Sequence, residues 1–321
     1  MGDAYVSQMN GLGLASSLIS NSAEPLRWLY VTRRFKVLQA NLALHSTAIE
    51  DANTKARGVI KSLNRFFRGE SIVGHYVVAG SWGKNTAIHP PTDIDLCFIL
   101  PVEVYHSFNA YSGNKQSQLL SHVKDVLRTT YPQTAIRQDG QVVVVGFNSI
   151  TVEVVPAFLA TERGLIMCDT NNGGRWKQVD PLAEIGVLDQ SDNALRGNHR
   201  KLVRIFKQWK RHCNVPIKSF HLEQLIGEAL PRLSWGSHDE FWFDWIVRDV
   251  FAHMIARAGG GFFMPGGINE WIDLGEAWKS TAETAYQRAI KACEYERENM
   301  NLSAGNEWQR IFGTAIPEMV I

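Results

Sequence analysis

The spacing of hydrophobic positions changes twice along the chain. Over 25–68, Leu26, Leu29, Tyr30, Phe35, Leu38, Leu42, Ile49, Ile60, Leu63, Phe66 and Phe67 recur at helical spacing. That pattern predicts a long scaffold helix, with Pro25 placed well for its first turn and Gly58 as a candidate break. Over 77–101 the pattern becomes two apolar runs around a polar segment, VVAGSWGKNTAIHPPTDIDLCFILP, which predicts two strands joined by a loop. A helix is expected over 111–131, where Leu119, Leu120, Val123, Val126 and Leu127 share a face. The β-branched run 141–147 and ITVEVVPAF at 150–158 predict two more strands. From 191 onward helical periodicity returns, with helices expected over 198–212, 220–230, 235–257 and 268–301. Gly259-Gly260-Gly261 and Met264-Pro265-Gly266-Gly267 read as breaks between them.

This punctuation gives an α+β reading in three parts. Residues 1–160 hold the scaffold helix and a mixed strand-and-helix core. Residues 161–190, rich in Gly, Asn and Asp, form a linker with loops, and 191–321 form a C-terminal helical domain. Residues 1–24 read as a loosely held arm or short helix. Trp176 in the linker could stack on a base, but a packed aromatic is the simpler reading.

Composition narrows the function. The chain has 321 residues, 33 basic against 32 acidic side chains, and a formal net charge of +1. Proteins that coat nucleic acid need a large positive excess, so strong nucleic-acid binding is not expected. Cys97, Cys168, Cys213 and Cys293 are scattered, without a CxxC or Cys/His cluster, and read as reduced buried thiols of a cytoplasmic protein. No signal peptide and no apolar run of membrane-spanning length is evident.

The candidate chemistry lies in 77–101. Alternate residues of a strand face the same way, so Asp93 and Asp95 project together. Two carboxylates opposite a Gly-Ser bend suit a Mg²⁺-nucleotide site, because Mg²⁺ takes hard oxygen ligands from one or two carboxylates and from phosphate. Gly80 lets the backbone approach a phosphate, and Ser81 can donate to it. Glu153, alone among valines, is either on a solvated face or a third ligand set beside the aspartates by strand pairing; an unpaired buried carboxylate is costly, which favours the second. On the helix 198–212, Arg200, Arg204, Lys207 and Arg211 form one basic stripe, from which one cation is expected to meet a triphosphate. Ser219 is either a helix N-cap or a phosphate contact.

The ordered set of these motifs resembles the bacterial cGAS/DncV-like nucleotidyltransferases, within the polymerase-β-type superfamily. The residues that carry the resemblance are GSWGKNTAI before TDIDL, then VEVVPAF, LVRIFKQWK, KSFHLE and FGTAIP, covering nearly the whole chain. It implies a polymerase-β-like core plus a helical domain, with the active site in the cleft between. It implies Asp93, Asp95 and Glu153 as catalytic ligands of two Mg²⁺ ions, Mn²⁺ being an alternative, and Gly80, Ser81, Lys207 and Ser219 as the nucleotide-binding set. Three positions depart from the family pattern: Glu153 stands where Asp is usual, Asn85 where Gly is usual, and His89 where Arg is frequent. The implied activity is synthesis of cyclic di- or trinucleotide messengers from NTPs, ATP with GTP, UTP or CTP as further candidates, with pyrophosphate release, in CBASS anti-phage signalling. An activating partner protein is part of that picture. The competing readings are a linear RNA-tailing or oligoadenylate-type nucleotidyltransferase, a protein-modifying nucleotidyltransferase toxin, and a non-catalytic ligand-sensing scaffold.

Overall fold

A computed structural model of the chain describes residues 28–321, so the expected N-terminal arm and Pro25 lie outside the described residues. The single scaffold helix expected over 25–68 is two helices, α1 (Val31–Leu42) and α2 (Ser46–Arg68). The break falls at 43–45, where Ala43 and His45 are extended, and not at Gly58. Gly58 lies inside α2, where a Cβ would come within 2.7 Å of the Tyr131 hydroxyl. Its smallness serves packing, which helical periodicity alone does not reveal. The two helices also serve different cores. α1 buries Val31, Phe35, Leu38 and Leu42 among the C-terminal helices, whereas α2 buries Val59, Ile60 and Leu63 against the sheet.

The sheet is built from β1 (Tyr76–Val78), β2 (Asp93–Ile99), β3 (Ala135–Asp139), β4 (Val142–Gly146), β5 (Thr151–Leu159), β6 (Leu165–Asp169) and β7 (Arg175–Val179). Its order is β1-β2-β5-β4-β3, with β6 and then β7 continuing from the far end of β5. The β2–β5 pair at its centre is parallel and every other pair is antiparallel. Between β2 and β3 run α3 (Val102–Asn109) and α4 (Lys115–Thr130). Asn114 starts α4 by accepting a hydrogen bond from the Ser117 amide. α2 and α4 cover one face of the sheet, where Ile94, Leu96, Phe98, Val152 and Val154 are buried. Each such side chain contributes about 1.5–3 kcal/mol when fully buried. A one-residue slip of β2 or β5 would turn carboxylates into this layer, so the apolar core decides which face the acidic residues take.

The stretch 161–190 is not the loop-rich linker that its composition suggests. It supplies β6, β7 and the start of α5 (Pro181–Ala194), which Asp180 caps by accepting from the Ala183 amide at 3.0 Å. The strands were hidden because each is only five residues long and β7 is largely polar. Trp176 is a packed aromatic, against Tyr105 and Phe158.

The rest is a helical layer: α6 (Asn198–His212), α7 (Ser219–Ala229), α8 (Phe243–Arg257), α9 (Lys279–Arg297) and α10 (Asn301–Phe312). A hairpin of β8 (Gly261–Phe263) and β9 (Trp271–Asp273) replaces the start of the long helix expected over 268–301. The α6 stripe of Leu202, Ile205, Phe206 and Trp209 is completely buried, packing with Phe243, Phe251 and Trp308. Cys97, Cys168 and Cys293 are buried, Cys213 is half-buried, and all four are free thiols. No helix among the described residues is long and apolar enough to cross a membrane.

Candidate active site

Strand register brings the acidic residues together. In the parallel β2–β5 pair, Asp95 sits opposite Glu153 and Asp93 opposite Thr151. Cross-strand neighbours share a face, so the three carboxylates occupy one patch on the face that α2 and α4 leave open. Burial first, and then the nearby Asp93 charge, push the Asp95 carboxyl up to about 6, while Lys207 and Lys84 pull the other way. The Glu153 carboxyl is also raised, by burial and by Asp95 and Asp93. Asp93 Oδ1 accepts from the Thr92 hydroxyl at 2.8 Å.

Gly80 and Ser81 open a single helical turn, Gly80–Gly83, between β1 and the loop that leads to β2. Gly80 is left-handed, with φ 53°, and touches Asp95. Asn85, where the sequence pattern wanted Gly, is also left-handed at φ 53°, a conformation Asn adopts at lower cost than most residues. Trp82 donates to the Asp93 carbonyl at 2.6 Å, tying the turn to β2.

The basic stripe of α6 has a structural job that its spacing did not reveal. Arg200 donates to the Lys84 carbonyl, Arg204 to the Asn85 carbonyl, Lys207 to the Thr86 carbonyl and Arg211 to the His89 carbonyl, at 2.6–3.0 Å. Four successive cations of one helix face thus staple the loop 84–89 to the helical layer. Lys207 alone among the four also faces the carboxylates closely. Burial pushes its ammonium down to about 8, against the opposing pull of Glu223 and Asp93.

Ser219 is the first residue of α7 and not its N-cap; Lys218 takes that place without a side-chain bond. The Ser219 hydroxyl accepts from Lys210 Nζ at 3.3 Å. The residues missed from sequence are Lys84, Lys210, Glu184 and Glu223. Lys84 Nζ lies 2.9 Å from both Glu184 and Glu223 and 4.8 Å from the Phe220 ring centre. Burial alone would lower the Lys84 ammonium, but the two carboxylates outweigh it and hold it raised. This buried triad locks the Gly-Ser turn, α5 and α7 together. Lys84 lies in GSWGKNTAI and Glu223 in KSFHLE, whereas Glu184 lies in no motif.

These elements enclose a cleft of about 540 Å³ lined by Gly80, Ser81, Asp93, Asp95, Lys207 and Ser219, with Lys210, Arg211 and Phe220 at its wall. All the sequence-predicted site residues except Glu153 line it; Glu153 lines an adjoining cavity that shares Thr92 and Asp93. No group of three or more His, Cys, Asp or Glu side chains among the described residues stands close enough to hold a metal ion without adjustment. The donor chemistry nevertheless fits a divalent cation. Carboxylate oxygens are the hard ligands such ions select, and the crowding that raises Asp95 and Glu153 is relieved by a positive charge. Drawing the three onto shared ions takes side-chain rotation, with backbone register already in place.

Comparison with known proteins identifies the family and the fold. Residues 29–192 match the model of the Second Messenger Oligonucleotide or Dinucleotide Synthetase domain. A probable cyclic nucleotide synthase of Bacillus cereus is 19% identical over 294 residues, covering 81% of this chain and 86% of that protein. The CBASS oligonucleotide cyclase CdnC of Escherichia coli is 23% identical over 191 residues, 56% of this chain and 59% of that protein. Among solved structures, E. coli CdnC with ATP superposes with a TM-score of 0.65 at 15% identity, covering 89% of this chain and 98% of that one. Vibrio cholerae DncV, a cyclic AMP-GMP synthase in complex with a linear intermediate, gives 0.61 at 14% identity, covering 97% and 91%. The fold is therefore theirs.

Proposed function

The chain belongs to the second messenger oligonucleotide or dinucleotide synthetase family, the cGAS/DncV-like nucleotidyltransferases, and on that premise we propose that it joins nucleoside triphosphates into cyclic oligonucleotides for CBASS signalling. One observation carries the reading: Asp93, Asp95 and Glu153 share one sheet face in register, beside the Gly80-Ser81 turn and Lys207.

In the proposed reaction a ribose hydroxyl oxygen of the acceptor attacks the α-phosphorus of a donor triphosphate. A phosphorus–oxygen bond forms, the bond to the β,γ-phosphates breaks, and pyrophosphate leaves. Glu153, which lines the adjoining cavity, takes the hydroxyl proton. Lys207, with Lys210, Ser81 and Ser219, holds the triphosphate and balances its charge. Enzymes of this fold depend on metal; here Asp93, Asp95 and Glu153 would hold it as Mg²⁺, two ions in all, which would supply Lewis-acid stabilisation of the phosphoryl oxygens. Holding both reactants against fixed residues contributes the larger share of the rate. Repeating the same bond formation between the two ends of the linear product closes the ring.

Nucleotides are the proposed substrates, as ATP is bound in the CdnC structure. CdnC has also been solved in complex with HORMA-deltaN, which supports a partner protein for this chain; that the partner activates it is part of the proposal.

The test is direct. The pure protein with all four NTPs and Mg²⁺ or Mn²⁺ is expected to release pyrophosphate and yield a phosphatase-resistant product whose mass identifies a ring. Linear products alone, or label transferred to a protein, would replace this reading with one of its competitors. Asp93→Ala combined with Asp95→Ala leaving every biological activity unchanged would favour a non-catalytic ligand-sensing scaffold.

A further inference from the structure

The two walls of the triphosphate cleft come from different layers. Gly80 and Ser81 belong to the turn at the edge of the sheet, whereas Lys207, Lys210 and Ser219 belong to the helical layer. One phosphate chain can be gripped from both walls only if their separation is fixed.

The buried triad of Lys84, Glu184 and Glu223 stands where it can fix that separation. Lys84 caps the helical turn Gly80–Gly83 and keeps helical angles itself (φ −81°, ψ −3°), so Ser81 and Lys84 lie three apart on one face. Ser219 and Glu223 lie four apart on one face of α7. All four residues line the cleft. The Lys84–Glu223 ion pair, 2.9 Å long, therefore sits about one helical turn, ~5 Å along each axis, from the two serines. Glu184 of α5 holds the same ammonium at 2.9 Å, and Arg200 of α6 holds the Lys84 carbonyl at 2.8 Å. Three helices thus anchor the one residue, at its side chain and at its backbone.

Charge argues against a role in affinity. One ammonium against two carboxylates leaves surplus negative charge beside a cleft suited to a polyanion, which opposes binding. Stability is no better a reason. The three side chains are at most 15% exposed, and a buried ion pair is often no more stabilising than packed hydrocarbon of the same volume. Such a pair does supply a fixed geometry, because sliding one wall along the other would leave buried carboxylates unpaired.

We propose that Lys84, Glu184 and Glu223 are the positioning residues of the triphosphate cleft: they fix the distance between Ser81 and Ser219 so that one triphosphate meets both. The three act through the serines and not on the reacting atoms. The proposal rests on the nucleotide-joining reading above.

The experiment reads the coupling between the triad and the serines. Lys84→Met combined with Glu184→Gln and Glu223→Gln keeps the volume and leaves no buried charge unpaired, so the fold is expected to survive, as circular dichroism will show. NTP KM is measured from pyrophosphate release with Mg²⁺, in the parent and in this triple variant, each with and without Ser219→Ala. In the parent, Ser219→Ala should raise KM about tenfold, the size of a charged hydrogen bond. In the triple variant KM should already be raised about tenfold, and adding Ser219→Ala should change it by less than about twofold, because the hydroxyl no longer reaches the phosphates. Ser81→Ala should behave in the same way. Glu223→Asp gives an independent reading: it keeps every charge, shortens one arm by a methylene, and should raise KM with kcat little changed. A full tenfold loss from Ser219→Ala in the triple variant, no loss from it in the parent, or an unchanged KM in Glu223→Asp would overturn the proposal, while pyrophosphate release by the parent would keep the nucleotide-joining reading. No pyrophosphate from the unaltered protein would overturn both.

Discussion

A Cβ on Gly80 would lie 1.6 Å from Asp95 Oδ2, so the glycine and the central carboxylate occupy mutually exclusive space with any larger residue. Gly80→Ala is expected to displace Asp95 and to reduce product formation by orders of magnitude. The left-handed backbone adds about 1–2 kcal/mol of strain, a modest share of total stability. Asp95→Asn, nearly the same volume, should abolish turnover with no loss of fold by circular dichroism. Normal product yield from either variant would remove Asp95 from the reaction.

Lys207 sets a pH limit on triphosphate use. Its ammonium sits at about 8 instead of the ordinary 10.5, because burial penalises the charge. The charged form binds phosphate, so its contribution is present below about 8 and is lost as pH rises through it. For the free enzyme, kcat/KM should decline above that pH. Lys207→Arg should hold its charge through pH 9.5 and flatten the decline. Lys207→Ala should raise KM for NTP about tenfold, the value of a charged hydrogen bond. A wild-type profile still level at pH 9.5 would contradict the assignment.

The C-terminus is held by a buried cation. Arg34 is fully buried, 2.7 Å from Glu296, and donates to the Pro317 and Glu318 carbonyls and to Asn301. Removing one partner of such a pair typically costs about 3–5 kcal/mol. Arg34→Ala and Glu296→Ala should each show that loss in denaturant unfolding. Deleting 317–321 should also destabilise, because Arg34 loses two acceptors. A loss under 1 kcal/mol in all three would mean water replaces the network.

Asp244 makes stability depend on pH in the direction opposite to most carboxylates. Burial, with Glu296 nearby, pushes its carboxyl up to about 8, although backbone amides oppose this. The folded state therefore keeps a proton that the unfolded state gives up near 3.8. Between those values the unfolded chain binds fewer protons, so stability falls as pH rises from about 4 to about 8. Asp244→Asn is expected to flatten that fall and to raise Tm relative to the parent at pH 9. Parallel Tm curves for the two proteins would place the proton elsewhere.

Much of this was legible in the residues themselves. The spacing of Asp93 and Asp95 put them on one face, and Glu153 stood out because a charge among valines needs a reason. The order of motifs also gave the fold. Element boundaries fared worse wherever a tertiary contact overrode periodicity. The break at 43–45 exists because α1 and α2 feed separate cores, and β6 and β7 exist because the exposed end of β5 recruits them. Ser219 was weighed as a cap, yet Lys218 is the N-cap of α7 and Ser219, its first residue, meets Lys210 instead. The basic stripe was correctly placed on one face, but all four of its members hold backbone carbonyls and only Lys207 also faces the carboxylates.

Local chemistry determined which side chains are candidates for phosphoryl transfer, because residue type and strand alternation depend only on neighbours in the chain. Three-dimensional packing decided everything that joins distant segments: the parallel register that seats Glu153 beside Asp95, and the Lys84 link to Glu184 and Glu223. Pairing across strands is settled by which apolar face is buried and against what, and that depends on helices elsewhere in the chain.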